Sequence, residues 1–95
     1  MLIKVFAVLD VKTGVYSHPY FMPTTGAMMR AWVDHVNSQN SAIGKHPEDY
    51  VLFCLGDYDD SKGQFINALA PENLGVAAEV VRANVAGTPI ELDNR

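Results

Sequence analysis

Three aspartates, Asp57, Asp59 and Asp60, crowd one short stretch before Gly63, and carboxylates at that spacing are the residues that hold calcium or magnesium. An EF-hand loop opening at Asp57 needs glycine where Lys62 stands and a bidentate glutamate where Ala68 stands. Both requirements fail, so the cluster reads as the acidic tip of a solvated hairpin. The histidines, His18, His35 and His46, have no partner at metal-motif spacing, and Cys54 lies inside the apolar run Val51-Leu52-Phe53-Cys54-Leu55. That placement makes Cys54 a small buried hydrophobe. No metal is expected. Ser17 beside His18 and Asp34 beside His35 bring a nucleophile or acid next to a base in sequence. Neighbours on a strand or helix point apart, so neither is a working pair. The seven glycines are dispersed, which excludes a phosphate-cradling loop. The chain reads as a binding protein without cofactor, not an enzyme.

Side chains that could bind remain. Tyr16, Tyr20 and Phe21 fall on or just after an expected edge strand, and Tyr58 and Phe65 on a second hairpin. Aromatics displayed on a sheet stack on the bases of single strands. The charge balance works against a phosphate-tracking surface. The formal net charge is −4, and the basic residues Lys4, Lys12, Arg30, Lys45, Lys62, Arg82 and Arg95 are scattered, with no two adjacent. Trp32 belongs to a helical stripe and is assigned to the core.

The elements that must position these side chains follow from periodicity. The length, 95 residues, sets one domain. Leu2 to Leu9 is almost wholly apolar and reads as a strand buried on both faces. Asp10-Val11-Lys12-Thr13-Gly14 is a hairpin turn, and Val15 to His18 the returning strand, held at an edge by Pro19. Thr24 or Thr25 caps a helix over 26–38, whose stripe is Met28, Met29, Trp32, Val33 and Val36. Arg30 and Asp34, one turn apart, form a surface pair. Residues 37–44 read as polar and flexible. Tyr50 to Leu55 is a second apolar strand, Asp59 to Gly63 a second turn, and Gln64 to Leu69 a second returning strand. Pro71-Glu72-Asn73 opens a short second helix through Ala83.

The two turns superpose at an offset of 49 residues, Asp10 on Asp59, which also lays Gly26 on Gly75. This suggests strand–strand–helix, twice. The expected fold is α+β: a four-stranded, mostly antiparallel sheet with one or two helices on one face. Residues 1–83 form the domain and 84–95 a loose tail. The two apolar strands are central, and their second face, which the helices cannot cover, is a partner surface that a homodimer would cover most simply. The N-terminal stretch lacks the pattern of a signal peptide and no apolar run is long enough to span a membrane, so a cytoplasmic location is expected.

The stretch from Lys45 to Asp60, Lys-His-Pro-Glu-Asp-Tyr-Val-Leu-Phe-Cys-Leu-Gly-Asp-Tyr-Asp-Asp, resembles a small non-structural protein of gokushovirus-type microviruses, tailless phages with single-stranded DNA. The opening Lys-Val-Phe strand, the Asp-x-Lys-Thr-Gly turn, Pro19-Tyr20-Phe21 and Thr25-Gly26-Ala27 resemble the same family, over roughly residues 1–80. The resemblance implies a host-cytoplasmic protein that binds single-stranded DNA or phage or host replication and assembly proteins, and so regulates viral DNA synthesis and packaging. On that reading Lys4, Arg30, Lys45 and His46 meet phosphates, and Tyr16, Tyr20 and Phe21 stack on bases. The alternative is an acidic, dimerising protein-interaction module that does not contact DNA.

Overall fold

The computed structural model describes residues 1–82. The tail expected over 84–95 lies outside the described residues. Strands β1 (Leu2–Asp10) and β4 (Tyr50–Asp59) pair antiparallel at the centre of one sheet. Two short strands, β2 (Val15–Tyr16) and β3 (Tyr20–Met22), share the far side of β1, and β5 (Gln64–Val76) closes the other edge on β4. The expected returning strand over 15–18 is thus split: the chain leaves β1 after Tyr16 and rejoins it at Tyr20, with Pro19 in the gap. Ser17 spans the break. Its N–H donates to the Val8 carbonyl at 2.8 Å and its hydroxyl accepts from the Val8 N–H at 2.9 Å.

Helix α1 (Thr25–Val36) packs across one face of the sheet. Met28, Trp32 and Val36, at four-residue spacing, bury against Phe6, Val8, Leu52 and Cys54. Thr24 caps the helix, its hydroxyl accepting from the Ala27 N–H at 3.0 Å. Thr24→Ala is expected to cost about 1 kcal/mol in urea unfolding, and Thr24→Ser to restore most of it. The helix ends at Asn37, whose amide donates to Val33 and Val80 carbonyls at 2.7 and 3.0 Å and accepts from the Arg82 N–H at 2.8 Å. One side chain therefore fastens the end of the described chain to the end of α1. Asp34 pairs with Arg82 at 3.6 Å rather than with Arg30.

Two expected features change. Residues 37–44 are not wholly irregular: α2 (Ala42–Lys45) forms one turn, capped by buried Ser41, whose hydroxyl accepts from the Gly44 N–H at 3.0 Å. The second helix expected from Pro71 is absent among the described residues. β5 runs on to Val76, and only a 3-10 turn, Ala77–Val80, follows. Pro71 mimics a helix start but stands instead in an exposed bulge of an edge strand, where its missing N–H costs no ladder bond. The strand–strand–helix repeat accordingly holds for the hairpins and fails for the helix. Both turns are built alike. The N–H of Gly14 and that of Gly63 donate to the carbonyls of Asp10 and Asp59 at 2.8 Å, the two aspartate side chains each accept at 2.9 Å from a backbone N–H two residues on, and the glycines take φ of 73° and 64°.

Candidate functional site

The helix and 3-10 turns gather on the face of Phe6, Val8, Leu52 and Cys54. Among the described residues no element covers the opposite face. Yet Val5 and Ala7, which point there, are as buried as their neighbours. Aromatic rings on the flanking strands shield them. Tyr16 stands opposite Leu9 and Phe53 opposite Ala7, and their rings meet edge-on at 5.5 Å. Phe21 stands opposite Val5 and gathers with Tyr58 and Phe65 into a trio with centroids 5.0 to 6.3 Å apart. Edge and tilted contacts of this kind hold rings in place while leaving surface free. Phe21 is 47% exposed and Phe65 59%.

A bulge puts Tyr58 in this group. Phe6 pairs with Cys54 and Val5 with Gly56, so Leu55 is the extra residue and the alternation shifts by one. Before the bulge Val51 and Phe53 face the open side; after it Gly56 and Tyr58 do. On β5 the same place carries a larger irregularity. Gly56 pairs with Asn67 and Cys54 with Glu72, so Ala68 to Pro71 bulge out and Leu69 is fully exposed. Gly56 has φ 141°, and a side chain there would run into the backbone of Ile66 and Ala68. Beside it lies a cleft of about 140 Å³ lined by Val5, Pro19, Gly56, Phe65 and Asn67 among others. The cleft is smaller than the roughly 300 Å³ of ordinary ligand pockets and suits a single ring or side chain.

The structure divides the residues singled out by sequence. Tyr16 and Phe21 share the open face with Phe53, Tyr58 and Phe65. Tyr20 stands opposite Phe6 and lines a separate groove of about 240 Å³ against α1, with Met22, Met28 and Trp32. Lys4 pairs with Asp57 at 3.3 Å, also on the helix side. Arg30 is exposed on α1, while Lys45 and His46 are exposed at the end of α2. The seven therefore do not form one surface. Phe53 was missed because its strand reads as uniformly apolar, which hides the outward face.

The Lys45–Asp49 stretch builds an entry to β4. The His46 N–H donates to the Ala42 carbonyl at 3.2 Å, the Asp49 N–H to the His46 carbonyl at 3.0 Å, and the Asp49 carbonyl accepts from the Val11 N–H at 2.9 Å. The three aspartates of the second hairpin have separate tasks. Asp57 meets Lys4, Asp59 accepts from the Ser61 N–H, and Asp60 lies 2.8 Å from the Met1 amine, whose pKa this hydrogen bond raises. Among the described residues no group of three or more His, Cys, Asp or Glu could hold a metal ion, and no helix is long and apolar enough to cross a membrane. Ser17 is engaged with the backbone rather than with a base, its hydroxyl donating to the His18 carbonyl at 3.0 Å.

The register positions facing the open side carry no lysine or arginine. Among the described residues, the nearest cations without an ion-pair partner are by topology Lys12 and Lys62, one in each hairpin turn at opposite ends of the sheet. The site is thus an aromatic platform with a narrow central cleft and basic groups only at its rim. It can stack flat rings and bury apolar surface.

The family model described as Phage ORF5 protein matches residues 3–80. No curated protein and no solved structure matches the chain.

Proposed function

Because this chain belongs to the Phage ORF5 protein family, we propose that it is a non-structural protein of gokushovirus-type microviruses that binds single-stranded DNA on its open aromatic face and so regulates viral DNA synthesis and packaging. The observation that carries the reading is the grouping of Tyr16, Phe21, Phe53, Tyr58 and Phe65 on one uncovered side of the sheet. Base–aromatic stacking contributes about 1–3 kcal/mol per base and is indifferent to sequence, which suits a protein acting along a whole genome. No catalytic step is assigned to it; it acts in the host cytoplasm by binding.

Anisotropy of a labelled oligothymidylate tests the reading. Phe53→Ala and Phe21→Ala are each expected to weaken binding at least about fivefold. Arg30→Ala and Lys45→Ala, on the helix side, are expected to change it less than about twofold. With only Lys12 and Lys62 at the rim, log K should fall with log salt at a slope of about −1.4, shallower than for a protein that tracks the backbone with many cations. A steep slope, or full binding by the phenylalanine variants, would remove the platform from the mechanism.

One observation favours a second reading. A face without cations also fits an apolar protein surface, such as that of a phage or host replication or assembly protein. Absence of oligonucleotide binding at low salt selects this reading over the first.

A further inference from the structure

We propose that β5 is the seam of a homodimer, in which residues 63–67 pair antiparallel with the same segment of a second copy, Phe65 opposite Phe65. β5 is the outer strand of the sheet, and its far side has no hydrogen-bond partner among the described residues. Sheet edges left unpaired are usually guarded by charges or proline within the strand. Here residues 63–71 contain no charge, Phe65 and Ile66 are exposed, and Pro71 comes only at the end of the bulge. The edge is unguarded where a strand could pair, and the bulge at Ala68 stops the pairing after a few residues. That arrangement favours a closed pair of chains over open-ended stacking.

Charge complementarity identifies the occupant as a second copy. The uncharged segment is bounded by Lys62 at one end and Glu72 at the other, and neither forms an ion pair within the described chain. Because the bulge loops out Ala68 to Pro71 and Leu55 is the extra residue of β4, Glu72 takes the ladder position next to Asn67: their partners, Cys54 and Gly56, stand opposite the consecutive residues Phe6 and Val5. Antiparallel self-pairing then sets Lys62 of each copy beside the partner's Glu72, twice per dimer. A two-fold axis normal to the sheet leaves both open faces on the same side and brings the two Phe65 rings to the seam. The dimer draws on Lys62 at the rim and Phe65 at the seam and leaves Tyr16, Phe21, Phe53 and Tyr58 to the open face, so its formation does not require that this face bind DNA. If that face stacks single-stranded DNA, the dimer doubles the platform.

Sedimentation equilibrium of the intact chain tests the seam. A concentration-dependent dimer is expected at or below roughly 100 μM. Lys62→Glu and Glu72→Lys should each raise the dissociation constant about tenfold, since each turns two attractive pairs into repulsive ones. The double variant Lys62→Glu/Glu72→Lys should return it to the wild-type value. Ile66→Lys, which sets like charges near the axis, should abolish the dimer while leaving the melting curve unchanged at concentrations well below the wild-type dissociation constant, where both proteins are monomers. A wild-type monomer at every concentration, single reversals without effect, or a double variant that stays dissociated would each overturn the proposal. Loss of oligonucleotide binding in Phe53→Ala with the dimer intact would leave it standing.

Discussion

Replacing Gly56 by alanine is expected to lower the unfolding free energy by about 3 kcal/mol and the melting temperature by roughly 12–24 °C. Two costs combine. At φ 141° an L side chain is strained whatever space surrounds it, and a Cβ at this position would lie 2.9 Å from the Ala68 nitrogen and closer still to the Ile66 carbonyl oxygen. Both obstacles are backbone, so no rotamer change relieves them. β5 must move away from β4, and the contact between Tyr58 and Phe65 should loosen with it. Binding to the open face should therefore fall even in solutions cold enough for the variant to stay folded. Gly14→Ala is the matching control, because that glycine has φ 73° but open space around it, and about 1 kcal/mol is expected. Equal melting of the two variants would show that the strands do not approach closely at Gly56.

Trp32→Ala should cost about 3–5 kcal/mol, a large share of the roughly 5–14 kcal/mol that holds a domain of this size folded. Trp32 is 2% exposed and joins α1 to the sheet through the cluster of Phe6, Val8, Leu52 and Cys54. Truncation leaves a cavity between two layers that share only one helix, and little else on that face can collapse into it. The expected result is a urea midpoint well below that of the wild type, with Trp32→Phe retaining much more stability because it keeps a ring in the gap. Trp32 is also the one tryptophan. In the wild type its emission should be blue-shifted and should move red in step with loss of the circular dichroism signal. Emission at the wavelength of exposed tryptophan in the native protein would contradict the packing.

The hairpins were legible because their chemistry is local. Asp10 and Asp59 hold the turns with their own carboxylates, and Gly14 and Gly63 supply the positive φ that closes them, all within five residues. Helix α1 was legible for the same reason, from a threonine cap and a four-residue apolar period. The reading failed at Pro71, where a proline followed by an acidic residue looks like a helix start but belongs to a bulged edge strand. At the candidate site Tyr16 and Phe21 share the open face and Tyr20 does not. Counted along the chain the three look equivalent. Opposite β1, Tyr20 meets Phe6 and Phe21 meets Val5, on different sides.

The two turns, the capped helix and the two central apolar strands can be read along the chain, since each depends on interactions between residues close in sequence or on bulk apolar character. Which rings share a face is a property of the folded sheet. A side chain's side is set by strand register, and register here is shifted by bulges opposite Val5 and Phe6 and again at Ala68 to Pro71. One extra residue reverses the alternation, so Tyr58 joins Phe53 on the open side although their numbers differ in parity. The extra residue is defined only by the partner strand, which lies some fifty positions away in the chain.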